Sequence, residues 1–377
     1  MPRQGLQAAR VEGFAGPVRG DGALPDRIAP FDLILPPRVR FGRGDMTASV
    51  PEILGFGQRF VLVHGRAPGR AAPLAEALEA AGAALHREAC AGEPEPGTLI
   101  AALDRTRDSE PDAVIALDLG KAQAALLPAS DPDPMEHLEV LGRGRPLLAA
   151  PLPVVAVPAT AGTGSETTRN AVIGVPEHRR KVSLRDPRMM ARLAVIDPSL
   201  PDGTPRDVTI SSGLDAVTQV IEPYLSSRAN PFTDALCRDG VPRGLSALAR
   251  LAKQEDPAAR DDLALVAWLS SIALANAGLG AVHGIAGVLG GETGAAHGMI
   301  CGQSLALSCA PAGQRQRLAR RRPRASTPWR RAAAIRSAAI STGSGNGRGR
   351  TARPLRRSGC PRTPRARSRT GRPPVPR

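Results

Sequence analysis

Aromatic residues make up only 2% of the 377-residue chain, with Tyr 1 and Trp 2. Such scarcity argues against nucleic-acid binding by base stacking. The five cysteines, Cys90, Cys237, Cys301, Cys309 and Cys360, show neither a Cys-x-x-Cys spacing nor a dense disulfide pattern. An odd, scattered set in a long chain reads as reduced, and the expected location is cytoplasmic. No apolar run approaches the roughly 20 residues that cross a bilayer. The opening MPRQGLQAARVEGFAG lacks the continuous apolar segment of a secretory signal, so no membrane partner is expected. No Gly-x-Gly-x-x-Gly follows the strand-like RFVLVHG, and no Walker A sequence occurs. A dinucleotide site here must therefore use a different loop.

Charge is present but unevenly placed. Residues 311–377 carry 20 Arg, no Lys and no acidic residue, which leaves 30 basic against 35 acidic residues in 1–310. The net +15 thus belongs to the tail, and the body is mildly acidic. The tail has no sustained helical or strand period and is expected to be disordered. Two further readings compete: a basic tail that binds nucleic acid, or the product of a shifted reading frame in GC-rich coding DNA.

Length and a 42% hydrophobic content allow two domains and a sizeable core. Residues 1–29 read as an unstructured arm. In 30–200, short apolar segments at 59–65, 111–117, 152–160 and 192–198 read as buried strands, and 73–86 reads as an amphipathic helix with Gly82 a weak point. Their alternation predicts a Rossmann-like parallel sheet with helices on both faces. In 201–310, residues 209–226, 233–253 and 260–290 read as helices. The expected architecture is an α/β domain followed by an all-helical one.

Three stretches carry chemistry. PATAGTGSETT, 158–168, follows a strand. Gly162 and Gly164 permit close approach of a ligand to backbone N–H groups, while Thr160, Thr163 and Ser165 suit ribose or phosphate oxygens. The same stretch also reads as a plain strand-to-helix turn capped by Ser165 or Thr163. SSGLDAVTQVIEPY places Asp215 and Gln219 four apart on one helix face. LGAVHGIAGVLGGETGAAHG places His283 and His297 fourteen apart. Two imidazoles and the Asp215 carboxylate suit a divalent metal with an open position. On spacing alone, His283 reads equally as a core histidine and His297 as a loop residue.

The stretches PATAGTGSETTRNAVI, SGLDAVTQVIEPYLSSRANPFTDALCRDG and NAGLGAVHGIAGVLGGETGAAHG occur in an order that resembles the iron-containing (group III) alcohol dehydrogenases. That family includes maleylacetate reductases and is similar to dehydroquinate synthase. The resemblance runs from about residue 31 to 310. It implies an NAD(P)-binding α/β domain, a dehydroquinate synthase-like helical domain and a divalent metal, Fe or Zn, in the cleft. The family's ligands are an aspartate, matching Asp215, and three histidines. Two of these match His283 and His297, and Gln219 stands where the third is expected. A further family histidine has no counterpart among Gly287, Val288, Leu289 and Gly290. The Gly-Gly-Gly-Ser loop that touches the cofactor pyrophosphate is absent, although Asp118 and Lys121 match the helix after it. Lys181 resembles in placement a lysine near the nicotinamide and the substrate, and its other reading is a surface lysine. Arg66 and Arg70 read either as partners of an NADP 2′-phosphate or as solvated helix residues. The family's C-terminal helices cannot be recognised beyond residue 311.

The expected function is hydride transfer between NAD or NADP and an alcohol–carbonyl pair, with a homodimer implied by the resemblance. The alternatives are a metal-independent maleylacetate reductase-like enzyme, and an inactive or non-enzymatic basic-tail protein.

Overall fold

The computed structural model describes residues 28–309 apart from 67, 91, 118, 119 and 163. The expectations for the N-terminal arm before residue 28 and for the basic tail lie outside the described residues.

The first domain is built on β1 (Val39–Phe41), β2 (Arg59–His64), β3 (Ala84–Ala89), β4 (Ala113–Ala116), β5 (Val154–Ala156), a β6–β7 pair (Asn170–Val175 and Arg180–Arg185) and β8 (Leu193–Ile196). Six strands form one parallel sheet in the order β1-β8-β5-β4-β2-β3. A strand buried on both faces needs apolar residues at successive positions, and Phe60–Val63, Ala113–Ala116 and Leu193–Ile196 meet that demand. Side chains alternate between the faces. Val61, Val63, Val114 and Ala116 pack in one core with Leu99 and Leu103. Phe60, Leu62, Ala113 and Ile115 pack in the other with Ile53, Leu74 and Leu78. The covering helices are α1 (Asp45–Ala48), α2 (Val50–Leu54), α3 (Ala72–Ala80), α4 (Pro96–Arg107), α5 (Lys121–Leu126) and α6 (Pro134–His137).

The second domain contains α7 (Arg206–Tyr224), α8 (Pro231–Leu251), α9 (Pro257–Ala277), α10 (Ala281–Thr293) and α11 (His297–Cys309). Val217 and Val220 of α7 pack with Val241 of α8 and with Leu263 and Val266 of α9. Asn230 and Asp256 cap α8 and α9 by accepting from Thr233 N and Ala259 N. No single helix among the described residues is long and apolar enough to cross a membrane.

Two local expectations need correction, and one element is additional. The helix expected over 73–86 stops at Ala80, and residues 84–86 belong to β3. Gly82 adopts φ 89°, which an L-helix cannot continue, so the chain turns there into the sheet. The helix expected over 260–290 is two helices, α9 and α10, separated around Gly278 at φ 75°. The antiparallel β6–β7 hairpin was not expected; it pairs Asn170 with Arg185 and Val175 with Arg180.

Gly82→Ala places a Cβ in the left-handed region and is expected to destabilise the fold by about 1–2 kcal/mol. Chemical denaturation of the two proteins measures it.

Candidate metal centre

Asp215 lies midway along α7 and is 3% exposed. Two other helices converge on it. From α10, His283 Nε2 comes within 3.1 Å of Asp215 Oδ1. From α11, His297 Nε2 lies 3.7 Å from the same oxygen. The two imidazole centroids are 5.5 Å apart. Cys301, one turn beyond His297 and fully buried, completes the group. One donor atom from each of Asp215, His283, His297 and Cys301 lies within 4.8 Å of all the others.

The sequence makes this convergence possible by leaving out side chains. A Cβ on Gly298 would stand 1.8 Å from the Ser211 carbonyl oxygen, and one on Gly302 would stand 2.7 Å from a Leu214 methyl. The glycines, four apart, let α11 approach α7 nearly backbone to backbone. The residues beside them, His297 and Cys301, are thereby carried to Asp215.

A second carboxylate fixes the imidazole. Glu222, seven residues after Asp215 and 6% exposed, accepts from Val282 N at 2.7 Å and lies 2.5 Å from His283 Nδ1. This bond turns Nε2 toward Asp215, the carboxylate–histidine arrangement that orients metal-binding imidazoles. Burial alone would pull the His283 imidazole down. Its hydrogen bonds to Asp215, Cys301 and Glu222 prevail and push it up to about 11. Burial would raise Glu222, yet the bonds from His283 and Val282 hold it below the usual carboxylate range. His297 is lowered by burial, reinforced by the positive charge of His283 and Lys181 against the pull of Asp215. A carboxylate, two imidazoles and a thiol are the donors of first-row divalent metals, so the residues present fit such an ion.

Gln219 is not brought into this group. It is 3% exposed, and its Oε1 accepts from Ser270 Oγ of α9 at 3.1 Å. Cys301 and Glu222 were missed from sequence. The signals were Cys301 at the fourth position after His297, and Glu222 two turns along α7 from Asp215.

The residues expected around the cofactor have mixed positions. Thr160 is exposed beyond β5, at the carboxyl end of the sheet. Gly162 and Gly164 are buried against the helical domain. A Cβ on Gly162 would meet Ser212 Cβ at 2.9 Å, and one on Gly164, at φ 68°, would meet Ser271 Cβ at 2.1 Å. Ser165 is half-buried. Thr163 and Asp118 lie outside the described residues. Lys121 is 6% exposed; its Nζ donates to the Thr168 carbonyl and, at 3.3 Å, to Thr168 Oγ1. Burial lowers it to about 8, with Glu166 pulling the other way. Glu166 is itself raised by burial and accepts from Ser271 Oγ at 3.0 Å. A cavity of ≈ 10 Å³, room for about one water, lies beside Glu166 and Trp268. Lys181 pairs with Glu93 at 2.6 Å. Arg70 donates to Thr204 Oγ1 at 2.8 Å and to the Ala159 carbonyl at 3.4 Å, so it is tied to the protein rather than solvated.

A parallel-sheet domain joined to a helical domain, with a buried carboxylate–imidazole cluster in the latter, is the arrangement of a two-domain metal-dependent oxidoreductase. The chain belongs to the iron-containing alcohol dehydrogenase family: residues 36–198 match "Iron-containing alcohol dehydrogenase" and 209–320 match "Fe-containing alcohol dehydrogenase family, C-terminal". It is 34% identical over 305 residues to the probable alcohol dehydrogenase EutG of Salmonella typhimurium, covering 78% of this chain and 74% of that protein. It is 30% identical over 276 residues to the lactaldehyde reductase of Escherichia coli, covering 71% and 72%. Among solved structures, an alcohol dehydrogenase from Oenococcus oeni superposes with a TM-score of 0.68 at 27% identity, covering 74% of this chain and 75% of that one. An iron-containing alcohol dehydrogenase from Thermotoga maritima gives 0.67 at 25%, covering 74% and 78%.

Two substitutions test the geometry. Gly298→Ala forces α11 away from α7 and is expected to cost about 1–3 kcal/mol together with metal retention, read by denaturation and elemental analysis. Glu222→Gln frees the His283 ring and is expected to weaken metal binding roughly 10–100-fold, read by competition with a chromogenic chelator.

Proposed function

We propose that this chain interconverts an alcohol with its aldehyde or ketone, using NAD or NADP and a divalent metal held by Asp215, His283 and His297. The observation that carries the reading is the meeting of these side chains from α7, α10 and α11 at mutual donor distances within 4.8 Å. When bound, the metal supplies Lewis acidity toward a substrate oxygen, and the nicotinamide supplies or accepts the hydride.

The remaining work falls to the chain. Glu222 holds His283 in orientation through Nδ1. His297, with its side chain 36% exposed, forms the rim where a substrate oxygen enters. Lys181, steadied by Glu93, places positive charge beside His297 and helps to orient a polarised carbonyl oxygen. Gly287, Val288, Leu289 and Gly290 of α10 offer no proton relay. The cofactor's place is the crevice at the carboxyl ends of β2, β4 and β5, with Thr160 on its rim. Without a Gly-Gly-Gly-Ser segment after β4, fewer backbone N–H donors meet the pyrophosphate, which favours weak cofactor binding. A homodimer in the cytoplasm is part of the same proposal.

The metal-independent alternative is less well supported, because Gln219 is engaged by Ser270 while four other donors remain gathered. To test the proposal, the full chain is purified without chelator. Its metal content is measured, and nicotinamide absorbance is followed with short and long-chain alcohols, their aldehydes and lactaldehyde. Bound metal and turnover are expected together, and Asp215→Ala is expected to remove the metal and lower turnover on the order of 100-fold or more. Turnover undiminished by exhaustive chelation would establish the metal-independent branch instead.

A further inference from the structure

The four donors around Asp215 are not equivalent. Two imidazoles and a carboxylate suit many divalent ions, whereas a thiolate narrows the choice. Cys301 is fully buried, and its Sγ belongs to the same group of donor atoms as Asp215 Oδ, His283 and His297. All four donor atoms lie within 4.8 Å of one another, so the sulfur is directed into the cluster. The other polar side chain expected there, Gln219, is bonded to Ser270 on α9.

Helix geometry supplies an independent reason. Residues four apart lie one above the other on a helix face, about 5–6 Å between Cβ atoms. His297 and Cys301 have that spacing, and Gly298 and Gly302, the residues immediately after each, are the positions where α11 meets α7. At such a close approach, a side chain as short as cysteine spans the distance to a point beside Asp215.

We propose that Cys301 is a metal ligand, so that the centre is Asp215–His283–His297–Cys301 and prefers a thiophilic ion such as zinc over iron. The inference deepens the metal-dependent reading given above and rests on it. On binding, the thiol proton leaves to solvent, and Sγ and a neutral His283 imidazole nitrogen each donate an electron pair to the cation. The thiolate and the Asp215 carboxylate together balance the charge of a divalent ion, which suits a site this deeply buried.

The test uses the full-length chain loaded with zinc or cobalt and reads ligation rather than turnover. Zinc-edge X-ray absorption is expected to show a sulfur scatterer at about 2.3 Å. The cobalt form is expected to show a near-ultraviolet thiolate charge-transfer band. Cys301→Ser should remove both signals and weaken zinc binding by at least the roughly tenfold that loss of an outer hydrogen-bond partner costs. Gln219→Ala should keep both signals. Zinc bound in an Asp215-dependent way with no sulfur in its shell would overturn the proposal and leave the metal-dependent reading intact. A folded chain that retains no metal would overturn both. Because X-ray absorption is read on the unmutated protein, the outcome stands even if Cys301→Ser fails to fold.

Discussion

Two carboxylates buried on one helix set the terms for the helical domain. Asp215 and Glu222 are 3% and 6% exposed, and withdrawing such groups from water is costly unless each finds a partner. His283 lies between them and bonds both, Nε2 to Asp215 and Nδ1 to Glu222. These bonds outweigh the effect of burial and push the imidazole up to about 11. A cation beside Asp215 would take the place of the Nε2 proton while Glu222 keeps the other. Metal uptake at such a site is proton-coupled.

A second set of buried polar contacts joins this domain to the sheet. The segment after β5 is fastened from both sides. Lys121, at the start of α5, donates to Thr168, and Ser271 of α9 donates to Glu166. Gly164 lies so close to Ser271 that a side chain there has no space. Lys121 is 6% exposed, and that burial lowers it to about 8. The stretch read from sequence as a cofactor-binding loop or a strand-to-helix turn thus also packs closely against the helical domain. Thr160 is exposed at one end of it, while Gly162 and Gly164 lie against Ser212 and Ser271.

The legible features were those carried by one element at a time. The apolar runs of β2, β4, β5 and β8 announced the sheet because a strand buried on both faces has no other composition. Asp215, His283 and His297 were legible through the order of the motifs that hold them. The errors lie where a glycine or a partner decides. Gly82 and Gly278 end helices through their backbone torsions, which apolar periodicity does not register. The β6–β7 hairpin carries Arg180, Lys181 and Arg185 on strands whose composition is mixed. Cys301 escaped notice because HGMICG, with two glycines, does not read as a helix until α7 is placed against it.

The same helix rule explains why Gln219 was chosen from sequence and Cys301 is found in space. One turn separates Asp215 from Gln219, and one turn separates His297 from Cys301. A helix face is broad enough that residues one turn apart need not serve the same point. On α7, the turn that holds Gln219 meets Ser270 of α9, a neighbour that satisfies an amide well and leaves it no reason to face α11. On α11, Gly298 and Gly302 bring the backbone against α7, and the whole face beside them is aimed at Asp215. Which of two equally spaced residues joins a cluster is thus decided by the helix that packs over it.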